Sequence, residues 1–567
     1  MLDDKQRKCT QHVNGPALVL ATAGSGKTRV IIERCKYLVD NQYCLRHEIL
    51  LVTFSNKAAN EIKKRLGYDN SEWIGTFHSI SFKLLQIHQI ISNKTIIIDE
   101  YDKKDIFGKL GIMEYLPIIS KFETSEKPIY DTKILKAHNS YKQYLKDNNL
   151  IDFTQIINVM LETLKKNTEV RNAIQSRFKY IMIDEFQDVN KNQYEMIKLM
   201  TNEQSNIMCV GDDDQCIYAW RGACIDNMFN FSRDWKGAKI YHLNHNYRSV
   251  QPIVYGAQNI CKSIEHKLDK DDTHSDKEGE VIYIQPCRHE GDFIARKIKN
   301  INPNETIAIL VRSIKQITNI ENSLMSHDIP YDVMIGDKIL ERVEVRALMA
   351  YIRTIYYNDI TSLSRMLKYP ARGIGPKKLE KINEFIENSR NTIIGENVLI
   401  AALESVKAFG LAEQIKQWMS IQEPHRIIET IWTESGLSSE YDDKHVRMII
   451  EKSRQFNKIE DFIQSLITME SDENGRVCIM TIHTSKGLEF DNVFIPGVSE
   501  GNIPHQNAIM FNKIDDERRV LNVAMTRAKN RLWITYNPME SNGDFFGASR
   551  FLMNIPRKYS INFILDD

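Results

Sequence analysis

At 567 residues the chain is too long for a single hydrophobic core, and its length points to about three to five domain-sized units. Apolar residues make up 42% of it and charged residues 26%, which excludes a disordered, fibrous or membrane-embedded class. Lys plus Arg equals Asp plus Glu at 75 each, so a nucleic acid could be held only by a local groove, not by a polycationic surface. The start, MLDDKQRKCT, has no apolar run behind its charges, and no stretch approaches the roughly 20 apolar residues of a membrane span, so a cytoplasmic protein is expected. Nine cysteines are scattered without a C-x-x-C pair, which predicts reduced core thiols and no zinc or iron–sulfur site.

In chain order, PALVLA, ILLVTFS, YIMIDE and IMCVGD read as short buried strands, each followed by a helical pattern, and predict a parallel α/β sheet. After about residue 250 comes a second series of the same kind: EVIYI, TIAILVR, RVCIMTIH, DNVFIPG and RLWITY. Between the strands of the first series lies a polar helical stretch. Within it Ile134, Ala137, Tyr141, Tyr144 and Leu145 fall on one helical face. A second helical stretch, from about 371 to 474, interrupts the second series. The run HKLDKDDTHSDKEGE, residues 266–280, is dense in charge and turn formers and reads as a solvated loop.

The strongest local signal is ATAGSGKT, Ala21 to Thr28, set between the strand LVLA and the helical run RVIIERCKYLV. This is a P-loop in the context its chemistry needs. Glycines at 24 and 26 let backbone N–H groups curl around phosphates, Lys27 reaches the β and γ oxygens, and the Thr28 hydroxyl ligates Mg²⁺. At IMIDEFQD, Asp184 and Glu185 close an apolar strand, where doubly wound sheets bind ligands. Alone, such a pair is a cap or a turn. Below a P-loop, Asp184 suits Mg²⁺ and Glu185 suits the attacking water.

The remaining strings resemble, in order and spacing, superfamily I helicases of the UvrD/Rep/PcrA group over most of the chain. TFSNKAANEIKKRL from Thr53 resembles motif Ia and GTFHSI from Gly75 motif Ib. DFTQII from Asp152 is a partial match, with Thr154 and Gln155 in place of acidic residues. IDEFQD is similar to motif II, VGDDDQCIYAWRGA from Val210 to motif III and LNHNYRS from Leu243 to motif IV. MTIHTSKGLEF from Met480 resembles motif V and DERRVLNVAMTRAK from Asp516 motif VI. PARGIG at Pro370 and SRFL at Ser549 resemble further landmarks.

The resemblance implies two RecA-like P-loop motor domains with parallel sheets, each with a mainly helical insertion. The expected boundaries are 1–84 and 178–251 for the first domain, with insertion 85–177, and 252–370 and 475–567 for the second, with a short insertion 371–474. It implies an adenine-reading Gln6 and a nucleotide cradle of Ala21, Thr22, Ala23, Gly24, Ser25, Gly26, Lys27, Thr28 and Arg29. Arg248 and Arg527 become arginine fingers, Gln215 a γ-phosphate sensor, and Glu489 a nucleotide contact, with Lys486 a candidate beside it. Phe54, Tyr218, Trp220 and Tyr247 are expected to line a base-stacking path, with Thr76, His78, Arg221 and His483 near phosphates or bases. His245 stands where the family has glutamine and Asn522 where it has tyrosine. His242 and His245, three apart, lack a third metal ligand.

The implied activity is that of an ATP- and Mg²⁺-dependent DNA helicase moving 3′-to-5′ on single-stranded DNA and at duplex junctions. It would act in repair, replication or recombination; accessory proteins and the oligomeric state, a monomer among the options, are left open by the sequence. The alternatives are a DNA-bound ATPase switch, a protein-stripping translocase without net unwinding, a P-loop kinase and an RNA motor.

Overall fold

The computed structural model describes residues 2–68, 73–93, 95–123, 131–334, 342–357, 360–368, 370, 374–389, 398–441, 443–459, 461–463, 475–538 and 547–562. PARGIG crosses residues 371–373 and lies in part outside them. Fifteen strands are described: β1 (Ala17–Ala21), β2 (Ile49–Thr53), β3 (Ile74–Thr76), β4 (Ile96–Ile98), β5 (Leu150–Asp152), β6 (Tyr180–Ile183), β7 (Asn206–Gly211), β8 (Lys239–Leu243), β9 (Ile282–Pro286), β10 (Ile307–Val311), β11 (Asp332–Met334), β12 (Val477–Thr481), β13 (Phe490–Ile495), β14 (Ala528–Tyr536) and β15 (Ser560–Asn562).

The chain divides into two compact units. The first comprises residues 1–83, 159–336 and 472–567 and carries both large sheets. Its first sheet has the order β3-β2-β6-β7-β1-β8, parallel throughout. Unbroken apolar runs such as ALVLA and YIMI are buried along their whole length, as strands covered on both faces require. Edge strand β8, KIYHL, has its first two residues exposed, so its mixed polarity reflects having one neighbour. In a parallel sheet all carboxyl ends share one edge. Along that edge the segments leaving β1, β6, β7 and β8 come together: the glycine loop, Asp184, Asp212 and the LNHNYRS loop.

The second sheet, β11-β12-β10-β13-β14-β9-β15, is also parallel. Trp533 stacks on Phe494 at 4.5 Å and on Tyr283 at 5.7 Å, filling one face. Glu489 and Arg527 stand at the amino ends of β13 and β14, where the Phe490 N–H donates to Arg527 O at 2.9 Å. The fold is α/β with two parallel sheets of RecA-like type.

The second unit comprises residues 84–158 and 337–471. Among its described residues it is helical apart from the two-stranded parallel pair β4-β5. Helix Thr132–Asp147 buries Ala137, Tyr141 and Leu145, with Ile134 and Tyr144 packed beside them, the face that the spacing predicts. Asp102 pairs with buried Arg353, and Arg365 reaches Asp105 at 2.9 Å. These contacts join the unit's two segments. The expected boundaries shift accordingly. Helices Val343–Tyr357 and Ile360–Lys368, assigned to the second sheet domain, pack on helices of this unit instead. Helix Thr168–Arg177, assigned to the first insertion, belongs to the first unit, where Gln175 Nε2 donates to Leu199 O and Thr201 O.

A buried ionic cluster lies inside the second unit. Lys103 Nζ is 2.9 Å from Glu123 and 3.3 Å from Asp152; Tyr141 donates to Asp152, and His138 and Gln155 reach Glu123. An acid at 155 would face Glu123 across 2.6 Å, so the amide fits where the family has a carboxylate. Lys103→Met strands two buried carboxylates, with an expected cost of about 3–5 kcal/mol. The check is thermal unfolding followed by circular dichroism. A midpoint equal to wild type would mean that the carboxylates need no cation.

Candidate functional site

The glycine loop leads from β1 into helix Lys27–Asp40, whose amino end has no side-chain cap, so its N–H groups face the loop. Gly24 (φ 70°) and Gly26 (φ 85°) are left-handed, and a Cβ at either would meet Asn246 Nδ2 at 2.7 Å or Gln6 Nε2 at 2.8 Å. Ala21 accepts from Lys27 Nζ at 3.2 Å, Thr22 is tied to Leu243 O, and buried Ser25 Oγ donates to Thr22 O. Gln6, also buried, donates to Ser25 O at 2.9 Å, which places it against the loop, while Arg29 is exposed. The LNHNYRS loop docks here: Asn246 Nδ2 donates to Ala23 O at 2.8 Å and Tyr247 N–H to Gly24 O at 2.9 Å.

Thr28 Oγ1 lies 3.4 Å from Asp184 Oδ2. Burial and the neighbouring Glu185 push the Asp184 carboxyl up, whereas burial of Glu185 is outweighed by Lys27 and Lys486, which hold it down. Glu185 sits at φ 52° and accepts from Gln187 Nε2 at 2.5 Å; Gln187 Oε1 in turn takes the Asp212 N–H at 2.9 Å. Sequence reasoning missed Gln187 and Asp212, which link the ends of β6 and β7.

The second sheet supplies the cations. Arg527 is buried and donates to Val523 O, Leu488 O and, from Nη2, Gln215 Oε1 at 3.2 Å. Lys486 pairs with Asp188 at 2.6 Å and donates to Gln215 O at 2.7 Å, which gives it a defined place beside motif II. Arg248, against Gly24, pairs with Glu489 at 2.7 Å, and Lys529 holds the same carboxylate at 3.1 Å. Asn522, in place of tyrosine, donates to Asp214 O at 3.0 Å.

Residues 266–280 are mostly exposed, as their charge suggests, but the run is pinned to the protein at several points. Asn246 N–H donates to His274 O and His274 N–H to Asn244 O, so the segment lies alongside the LNHNYRS loop. Ser275 is buried, Leu268 N–H donates to Asp213 Oδ2, and Lys270 sits among Asp212, Asp213 and Asp214. A largely exposed strap thus delivers one lysine to buried carboxylates, because opposite charges await it. Among the described residues, those aspartates are the only three ligand-type side chains close enough to share an ion. His242 and His245 form no such group: His245 Nδ1 meets His274 Nε2 at 3.0 Å, and His242 Nδ1 is buried without a partner.

Four of the predicted aromatic and cationic residues converge with His483. Phe54 stacks on Tyr218 at 4.8 Å, Trp220 stands 6.1 Å from His483, and the Arg221 guanidinium covers the Trp220 ring at 4.7 Å. Trp220 is 65% exposed and Phe54 41%, so both present open ring faces. Tyr218 OH donates to His483 O at 2.9 Å, and burial, with Arg312 and Arg221, lowers the His483 pKa to about 4. Tyr247 is a correction. Its backbone is bonded to Gly24 and its hydroxyl to Asp3, which puts it beside the glycine loop and Gln6, not in this cluster. Thr76 is buried and caps helix Phe77–Ile87 by accepting from Ser79 N–H, and His78 is half-buried on that helix. Phe77 is core.

All nine cysteines are unpaired and eight are buried. Among the described residues no helix is long and apolar enough to cross a membrane.

Two domain families match the chain: UvrD/REP helicase N-terminal domain over residues 2–116 and 116–236, and UvrD-like helicase C-terminal domain over 241–539. The chain is 33% identical to DNA helicase II of Rickettsia typhi, covering 99% of this chain and 96% of the relative. It is 32% identical to a probable DNA helicase II homolog of Rickettsia conorii, with the same coverage. ATP-dependent DNA helicase PcrA of Staphylococcus aureus is 30% identical over 98% of this chain and 86% of the relative. With a glycine loop, two strand-end carboxylates and opposed arginines on paired parallel sheets, the chain belongs to the UvrD/Rep/PcrA family of superfamily I and is an ATP-dependent DNA helicase.

Proposed function

We propose that ATP is hydrolysed between the two sheets of the first unit and that turnover drives the chain 3′-to-5′ along single-stranded DNA, unwinding duplex ahead of it. The observation that carries the reading is Gln215. Its side chain meets Arg527 of the second sheet, its backbone oxygen takes Lys486, and the same short segment leads to Tyr218 and Trp220. A change at the phosphate therefore has a covalent path of a few residues to the aromatic cluster.

The triphosphate lies on the backbone N–H groups of residues 24–28 with Lys27 on its oxygens. Gln6, Asp3 and Tyr247 surround the position of the base, and the 40% exposed Tyr247 ring offers a stacking face. Thr28 and Asp184 form an all-oxygen donor pair suited to Mg²⁺, which when bound neutralises the β and γ phosphate oxygens. Glu185, kept ionised and aimed by Gln187, accepts the proton of the attacking water. The water oxygen bonds to γ-phosphorus as the bridging P–O bond to the β-phosphate breaks, giving ADP and phosphate. Arg248 and Arg527 stabilise the charge that spreads over the γ-oxygens.

Phe54, Tyr218 and Trp220 with Arg221 and His483 are the base-stacking track, and stacking on such rings tolerates any sequence. The direction of travel and a role in repair, replication or recombination are carried by family resemblance alone.

The test is ATP turnover with Mg²⁺, alone and with single-stranded DNA, single-stranded RNA or blunt duplex, and then unwinding of duplexes with a 3′ or a 5′ tail. Stimulation by single-stranded DNA, absent in Glu185→Gln, with unwinding from the 3′ tail is expected. Turnover indifferent to nucleic acid would sink the track, and unwinding only from the 5′ tail would reverse the direction. Trp220→Ala should weaken single-strand affinity by about 1–3 kcal/mol, the worth of one stacked base. Unchanged affinity and unchanged stimulation would remove Trp220 from the track.

A further inference from the structure

The catalytic reading leaves Lys270 without a role, yet few side chains are more tightly held. Its ammonium lies 2.9 Å from Asp212, 2.5 Å from Asp213 and 2.8 Å from Asp214, with 9% of the side chain exposed. Asp212 uses its other oxygen, Oδ2, to accept from Gln215 Nε2 at 2.6 Å, and that oxygen is 4.0 Å from Lys27 Nζ. On the other side of the amide, Gln215 Oε1 accepts from Arg527 Nη2 at 3.2 Å. An amide carries its donor and acceptor on opposite sides, so fixing Nε2 on Asp212 decides that oxygen faces the guanidinium. The flipped amide would set two donors against each other.

We propose that Lys270 is a positioning residue for ATP hydrolysis: it fixes Asp212, Asp212 fixes the Gln215 amide, and the amide oxygen sets Arg527. This rests on the roles proposed for Gln215 and Arg527 in hydrolysis.

Two features show that the placement is built. The strap is anchored on both sides of Lys270: Arg519 donates to His266 O and Asp213 accepts from Leu268 N–H before it, while Lys5 pairs with Asp271 and Asn244 donates to Asp272 O after it. The charge is also retained in place. Burial opposes it, but the three carboxylates outweigh burial and raise the Lys270 pKa well above that of a free lysine. Burial likewise opposes ionisation of Asp212, and Lys270 and Lys27 hold that carboxyl down. Asp214 is pushed up by burial and by Asp212 and Asp213 despite Lys270, which makes Asp214→Asn the mild change in the cluster. The strap joins helix Gln251–Cys261 to β9, so the lysine comes from the side that also supplies Arg248.

The test is steady-state ATP turnover of the full chain with single-stranded DNA, with ADP affinity and thermal midpoint measured on each variant. Lys270→Gln is expected to lower kcat about tenfold or more while KM for ATP stays within about twofold, the signature of lost transition-state alignment. Lys270→Arg keeps the charge with a different fork and should recover part of kcat. A second variant separates positioning from neutralisation. If Lys270 served only to offset three carboxylates, adding Asp214→Asn to Lys270→Gln would restore turnover; positioning predicts that the double variant stays slow. The double variant also carries the test if Lys270→Gln does not fold. Wild-type kcat in any folded Lys270→Gln protein, or restoration in the double variant, overturns the proposal. Gln215→Ala is the control for the underlying reading. If it too turns over normally, the Gln215 and Arg527 assignment fails; if it is slow while Lys270→Gln is normal, only the positioning role fails.

Discussion

Lys27→Ala is expected to abolish DNA-stimulated ATP turnover, by on the order of 10²–10³-fold or more, while the protein still binds single-stranded DNA. Lys27 Nζ rests on Ala21 O and Thr22 O, at the mouth of a loop whose glycines leave no room for other side chains. Losing the ammonium strips the γ-phosphate of its nearest flexible cation, and because only 10% of the Lys27 side chain is exposed, the thermal midpoint is measured alongside to separate lost chemistry from lost packing. The aromatic cluster is built from other segments, those leaving β2, β7 and β12, so single-strand affinity measured by fluorescence anisotropy should stay within about twofold of wild type, the range of a surface change. A folded variant that loses both activities equally would mean that phosphates and DNA occupy one site and that the two are not separate.

The range of the interactions involved decides what the sequence disclosed and what it hid. Strands β1, β2, β6, β7, β10 and β12 announce themselves because they are buried on both faces and carry unbroken apolar runs. Three-residue strands such as β3, β4 and β11 are too short for any period, and β8 is half polar because it is an edge. The glycine loop and Asp184-Glu185 are legible because one stretch of chain contains the whole device. Lys270 is not, since a lysine in a charge-dense run looks the same whether it faces water or three aspartates 56 to 58 residues away. The signal was present in VGDDDQ, where three adjacent carboxylates at a buried strand end demand a cation from somewhere. Tyr247 was misplaced for a related reason. The family resemblance set it on the stacking path with the other motif aromatics, but its backbone is hydrogen-bonded to Gly24 and its hydroxyl to Asp3.

Arg527→Lys should lower kcat by about a thousandfold, at the low end of what a finger arginine contributes. The size of the effect rests on geometry and not on charge. The Arg527 guanidinium is shared among Val523 O, Leu488 O, Thr526 Oγ1 and Gln215 Oε1, so its plane is set before any nucleotide arrives. A lysine in its place keeps a positive charge but cannot hold those acceptors in one plane. Arg248 differs: it is paired with Glu489 and can reach phosphate only by giving up or sharing that carboxylate, so Arg248→Lys should cost less. The two effects separate in a kinetic comparison. Loss at Arg527 should fall on kcat, because the planar fork meets charge that develops only during transfer, whereas loss at Arg248 should appear partly in KM. Thermal midpoints near wild type for both variants would exclude unfolding as the cause. Arg527→Lys with wild-type kcat would show that this guanidinium binds the two sheets together without acting on the phosphate, and the catalytic charge would then have to come from Arg248 alone.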